Sequence, residues 1–199
     1  MKRNNQFART DRDITNALLT IMEHKRFEKI SVQDILNEAL INRSTFYLHF
    51  PDKYAVLERL QEKLLAGLTE RVAALNAAEE KNLAAISQLM FDFLSENQAQ
   101  MLRLLSIRME GFDLQKQMRD FFSAYLAGIG APLNGLERDL LAGLTMEFMV
   151  RFLKEKRDPR DFPNAILDTW VDMSLTFFRV DQAPEARETL LRLIGELHG

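Results

Sequence analysis

The chain has 199 residues, of which 47% are apolar and 28% charged, with a formal net charge of -3, which excludes a disordered, collagen-like or mucin-like polypeptide. Its 8 glycines and 5 prolines leave few turns and favour long helices over a many-stranded sandwich, and the absence of cysteine excludes disulfide frameworks, thiolate metal sites and cysteine nucleophiles. The longest uncharged stretch, residues 121–136, is too short and too polar to span a membrane. The opening MKRNNQFARTDRD has no apolar core behind its basic residues, so a cytoplasmic protein without a secretory signal is expected.

Charge is unevenly spread. Residues 1–53 hold 9 lysines and arginines against 7 acids, and residues 54–199 hold 17 against 22. The first segment is thus the natural place for a polyanion, and Lys2, Arg3, Arg9 and Arg12 against Asp11 predict a short, basic, mobile arm.

Thr10 and Asp13 are spaced as a capping box, and Ile14, Ala17, Leu18, Ile21 and Met22 follow at helical spacing, with Lys25 and Arg26 at the expected end. Ser31 and Asp34 form a second start signal. With Ile30 and Ile35 as a hydrophobic staple, they predict a two-turn helix from Val32 to about Ala39.

Asn42 then caps a third helix, which starts at Arg43 and is stopped by Pro51, with Phe46 and Phe50 on its inner face. Arg43, Ser44, Thr45, Tyr47 and His49 are assigned to its outer face. Short or planar hydrogen-bonding groups at the start of a short helix suit base edges in a major groove, and two short helices separated by a tight turn have helix-turn-helix spacing. Asp52 can cap a following helix. Lys53 stands at that helix's N-terminus, where the dipole disfavours a cation and a phosphate neighbour would explain it.

The run Arg43-Ser-Thr-Phe-Tyr-Leu-His-Phe50, with Asp52 and Lys53 behind it, resembles the recognition helix of the TetR/AcrR transcriptional regulators, a likeness covering about residues 9–60. By that resemblance Thr45 and Tyr47 touch DNA backbone and neighbouring bases, Arg43, Ser44 and His49 face the groove, Lys53 holds a phosphate, and Gln33 is a further contact. One departure stands out. The family usually has glycine in the turn before this helix, whereas this chain has Leu40, so the turn is expected to take a different path.

Beyond Lys53, Tyr54, Leu57, Leu60, Leu64, Leu65 and Leu68 predict one long helix to about Asn76. Further helical segments are expected at about 82–96, 98–110, 114–129, 136–156, 162–180 and 184–198, punctuated by Gly111, the 128–135 cluster, Pro159, Pro163 and Pro184. The expected architecture is all-α: a helix-turn-helix DNA-binding domain with its basic arm at 1–53, and a helical effector-binding and dimerisation domain at 54–199. Soft and aromatic residues at helical spacing are most often plain core. The resemblance implies that some line an effector cavity, with Phe91, Met101, Met109, Phe121, Tyr125 and Met146 as candidates. It also implies a dimer packed through the last long helices, with Leu144, Phe148, Phe152, Trp170, Met173 and Phe177 as interface candidates.

No catalytic constellation is present. His24, His49 and His198 are scattered, no H-E-x-x-H, G-x-S-x-G or P-loop occurs, and Gly128-Ile-Gly130 follows no strand. The expectation is a non-enzymatic regulator, a homodimer without cofactor or metal. It would be a repressor that binds a near-palindromic double-stranded DNA operator and is released by a small-molecule effector. The alternative is a helical ligand-binding or interaction protein of the same fold without useful DNA binding, favoured by Leu40 and by the small positive charge of the first segment.

Overall fold

A computed structural model of the chain describes residues 2–77, 83–128 and 133–154. The described residues form α1 (Lys2–Ile21), α2 (Val32–Ala39), α3 (Arg43–His49), α4 (Lys53–Ala77), α5 (Leu83–Leu104), α6 (Leu114–Gly128) and α7 (Gly135–Lys154), with a 3₁₀ turn at Phe27–Lys29 and no strand among them. By its internal packing the chain divides into one unit of Met1–Gly67 with Ala99–Leu114, and a second of Leu68–Gln98 with Gln115–Gly199.

In the first unit the apolar stripes read from the sequence become the core. Ile14, Leu18, Ile35, Phe46, Val56 and Leu57 are fully shielded from solvent. Helix α1 begins earlier than the Thr10–Asp13 signal implied: Lys2 onward is helical, so the basic segment is not an irregular arm. Thr10 does not cap, because its Oγ1 donates to the Gln6 carbonyl at 3.2 Å within a helix already under way. At the other end α1 stops at Ile21, and Lys25 reaches away to Asp34 instead of lying in the last turn.

Helix α2 starts as its sequence requires. Ser31 Oγ accepts the Asp34 N–H at 3.2 Å, while the Asp34 carboxylate accepts the Ser31 N–H at 2.7 Å. Lys25 Nζ adds an ion pair to the same carboxylate at 2.7 Å. The Lys25 ammonium and the two Ser31 donors hold the Asp34 carboxyl down from 3.8 to about 2. A carboxyl depressed on folding stabilises the fold fully above pH about 4 and loses that contribution as the pH falls through about 2. Because the side chain is one-third exposed, screening reduces the effect to about 1 kcal/mol. Urea midpoints measured between pH 5 and pH 2 should therefore fall more steeply for the wild type than for Asp34→Asn.

The turn between α2 and α3 keeps the left-handed path despite lacking glycine. Leu40 sits at φ 53°, ψ 41°, and the N–H of Ile41 returns to the Leu36 carbonyl at 3.2 Å, a helix ending that normally takes glycine at this position. The side chain is 90% exposed and packs against little that could offset the conformation. A left-handed L-residue costs about 1–2 kcal/mol, and glycine returns part of that as chain entropy in the unfolded state. Leu40→Gly is expected to raise stability by up to about 1 kcal/mol, read as a higher melting temperature by calorimetry.

Residues 99–114 close the first unit. The buried Gln61 on α4 donates Nε2 to the Phe112 carbonyl at 2.8 Å, Arg103 on α5 pairs with Glu23 at 2.6 Å, and the Tyr54 and Phe112 rings lie 5.8 Å apart. Gly111 turns this connection at φ 81°.

In the second unit, Leu68 of α4, Phe93 and Leu94 of α5, Met118 and Leu126 of α6, and Leu141, Met146 and Val150 of α7 are buried. Arg71 pairs with Glu96 and lays its guanidinium over the Phe93 ring, 5.5 Å from its centroid. The break expected near residue 97 does not occur. Asn97 sits inside α5 with its side-chain amide donating to the Phe93 carbonyl at 2.8 Å, and no glycine or proline interrupts the helix there. Helix α7 opens on a reciprocal cap, Asn134 Oδ1 accepting the Glu137 N–H and Glu137 Oε2 the Asn134 N–H. The segments expected at 162–180 and 184–198 lie outside the described residues.

Candidate nucleic-acid interface

Helix α3 is only seven residues long, so its orientation depends on what anchors it. Asn42 caps it, its Oδ1 accepting the Thr45 N–H at 2.7 Å and the Ser44 hydroxyl at 2.7 Å. Phe46 and Phe50, one turn apart, are buried with ring centroids 6.2 Å apart. Phe50 ends the helix in extended backbone ahead of Pro51, and Asp52 Oδ1 then accepts the N–H groups of Tyr54 and Ala55 to start α4.

With one face anchored, the opposite face is open. Arg43 and Ser44 are exposed, Thr45 is half-buried, and Tyr47 is 48% exposed with its ring edge-on to Phe46. Gln33 near the start of α2 is exposed beside them. Its Oε1 accepts from Arg43 Nη2 at 3.3 Å, and its Nε2 donates to Asn37 Oδ1 at 2.9 Å. Gln33, Arg43, Ser44, Thr45 and Tyr47 thus contribute to one polar surface built from the starts of α2 and α3. The Gln33–Arg43 bond holds two long side chains that would otherwise sweep independently, which lowers the entropy lost on meeting a partner.

Two of the sequence candidates lie elsewhere. His49 points inward: its side chain is 4% exposed, Nδ1 is 2.5 Å from Asp11 Oδ1, and its ring stacks on Phe7 at 3.8 Å. The reason is helical spacing, since position 49 lies three residues after Phe46 and one before Phe50, on the buried face. The outward position at the end of the helix belongs instead to Leu48, 72% exposed and not singled out from the sequence. Two residues after the buried Phe46, it lies near the far side of the helix, a signal legible in the spacing.

Lys53 has protein partners where a phosphate was expected. Its Nζ donates to the carbonyls of Phe27, Glu28 and Ile30 at 3.0, 3.2 and 2.7 Å, and lies 4.8 Å from the Phe27 ring centroid. These carbonyls come from the 3₁₀ turn, and the ammonium satisfies them at the negative end of that turn. Partial burial lowers the Lys53 pKa.

The residues suggested for an effector cavity and a dimer interface divide between the units. Met101, buried, and Met109, half-buried, belong to the first unit; Phe121, Tyr125 and Met146 belong to the second, with Met146 buried. The Tyr125 hydroxyl is buried without a hydrogen-bond partner among the described residues, and desolvation raises its pKa. On α7, Leu144 is exposed in line with Leu136 and Leu140 at four-residue spacing, and Phe148 is half-buried. The side chains of Phe91 and Phe152, and all of Trp170, Met173 and Phe177, lie outside the described residues.

Among the described residues no three His, Asp or Glu side chains gather as a metal site, and no helix is long and apolar enough to cross a membrane. Residues 14–60 match the family model for bacterial regulatory proteins of the tetR family. The chain is also similar to the HTH-type transcriptional regulator EthR of Mycolicibacterium smegmatis, with 31% identity over 83 residues, covering 40% of this chain and 38% of that protein.

Proposed function

We propose, from the premise that this chain is a TetR/AcrR-family DNA-binding regulator through the domain at residues 14–60, that it is a homodimeric repressor of a near-palindromic operator, released by a small-molecule effector. The observation that carries the DNA-binding part is the exposed, N-capped start of α3 seated on buried Phe46 and Phe50. In this reading Arg43, Ser44, Thr45 and Tyr47, with Gln33 from α2, meet base edges and phosphates in a major groove, and Leu48 offers an apolar contact at the far end of the helix.

A second copy would cover the exposed leucine line of α7 around Leu144 and supply the second reading head that a two-fold operator requires. The effector would bind in the second unit near Phe121, Tyr125 and Met146. The buried Tyr125 hydroxyl supports this, since an unmet polar group costs about 1–3 kcal/mol that a ligand's hydrogen-bonding group would recover. Release is a population shift: the effector weakens operator binding only as far as it prefers the conformer that holds the reading heads wrongly spaced.

The test is repeated selection from a random-sequence duplex pool, followed by affinity measurements across a salt series. The wild type is expected to enrich one two-fold sequence and to bind it with a steep salt dependence. Arg43→Ala and Tyr47→Ala should each cost about 1–3 kcal/mol in specific binding. A pool that stays random, with both variants equal to the wild type, contradicts the reading.

A further inference from the structure

The contacts made by His49 assign it a different task from the side chains beside it. It is the last residue of α3, and its ring is enclosed by groups from α1: the Asp11 carboxylate at 2.5 Å from Nδ1, and the Phe7 ring stacked at 3.8 Å with an interplanar angle of 26°. Phe7 and Asp11 stand one turn apart on α1 and meet the imidazole from its face and from its edge. The exposed Lys63 on α4 also feels the Asp11 charge, so a cation from the neighbouring helix supports the carboxylate.

Phe46 and Phe50 hold α3 against the core, but apolar burial has no direction and tolerates small rotations of a two-turn helix about its own axis. A hydrogen bond to a carboxylate, combined with a ring stack, is directional. The rotational setting of α3 decides where Arg43 and Tyr47 point, and base-edge hydrogen bonds survive only small angular errors, whereas phosphate contacts are more tolerant.

We propose that Asp11, His49 and Phe7 form a clamp between α1 and the end of α3 that sets the rotation of the reading helix, making His49 and Asp11 positioning residues for sequence discrimination and not DNA contacts. This inference rests on the DNA-binding reading above. It separates two properties that a direct contact would change together: removing the clamp should weaken binding to the selected sequence while leaving binding to arbitrary duplex intact.

The experiment compares wild type, Asp11→Ala, His49→Ala, the double variant and His49→Asn, whose side-chain amide takes the place of the ring Nδ1–H. Each is measured on the selected duplex and on a scrambled one over a salt series, with thermal melts as a folding check. Asp11→Ala and His49→Ala are each expected to lose on the order of tenfold in specific affinity, with the double variant no worse than either single one, as for two side chains in direct contact. Affinity for scrambled duplex and the salt slope should stay at wild-type values, and His49→Asn should recover most of the loss. If His49→Ala instead weakens both duplexes equally and flattens the salt slope while Asp11→Ala behaves as wild type, His49 is a phosphate contact and the clamp is overturned. Clamp variants that discriminate as well as the wild type overturn it too, with DNA binding itself left standing. A wild type that discriminates no sequence overturns the regulator reading and the clamp with it.

Discussion

Phe46→Ala is expected to lower the stability of the first unit by about 3–5 kcal/mol and to abolish DNA binding through loss of structure. Phe46 is fully buried, and its ring meets Tyr47 edge-on at 5.4 Å and Phe50 at 6.2 Å. Truncation removes the transfer free energy of the ring and leaves a cavity beneath a helix too short to persist alone. Small domains are stable by roughly 5–15 kcal/mol in total, so the loss is a large part of what is available. Urea denaturation followed by circular dichroism checks it. The midpoint should fall sharply, while Phe46→Leu, which keeps most of the volume, should cost about 1–2 kcal/mol. An unchanged midpoint for the alanine variant would mean that Phe46 does not anchor α3.

Lys53→Met is expected to cost about 2–3 kcal/mol of folding stability, because three carbonyls lose the one ammonium that serves them all. Lys53→Arg should recover only part of this, since a planar fork cannot meet three converging oxygens as a compact ammonium does. A lysine acting only on a phosphate predicts something else: unchanged stability, and a salt slope of DNA binding reduced by about 1. Melting curves and salt titrations of the same variant therefore distinguish the two roles, and a loss in the melt with little change in slope is the outcome the carbonyl geometry demands.

Local signals were legible in the sequence wherever the partners lie within a few residues. Ser31 with Asp34, Asn42 with Thr45, and Asp52 with Ala55 cap three successive helices as their spacing required. The same logic was available for Asn134 and Glu137 at the start of α7, where a helix was expected from about residue 136 but its cap was not singled out beside the glycines and proline nearby. Thr10 and Asp13 carried a start signal that the chain does not use, because a capping pattern inside a helix is indistinguishable from one at its end until the preceding turn is known. Leu40 shows the reverse: a residue ill-suited to the left-handed region adopts it because the helix ending and the Asn42 cap on either side leave the turn no other path.

At the candidate site, the polar face of α3 followed from the two phenylalanines, apart from its last turn. His49 was assigned outward by chemical type, although its spacing from Phe46 and Phe50 places it with them, and its partner Asp11 lies 38 residues away. Lys53 likewise takes its partners from a turn 23 to 26 residues earlier. Pairings of that range are set by tertiary packing and leave no periodic trace in one sequence.

Entry of α3 into a major groove can be read by methylation interference on the selected duplex. Methyl groups at guanine N7 project into the major groove and those at adenine N3 into the minor groove. Methylation at N7 is expected to block binding at two clusters related by a two-fold axis, and Arg43→Ala to lose sensitivity at one position within each. Interference confined to adenine N3, or none at either groove, would contradict major-groove entry.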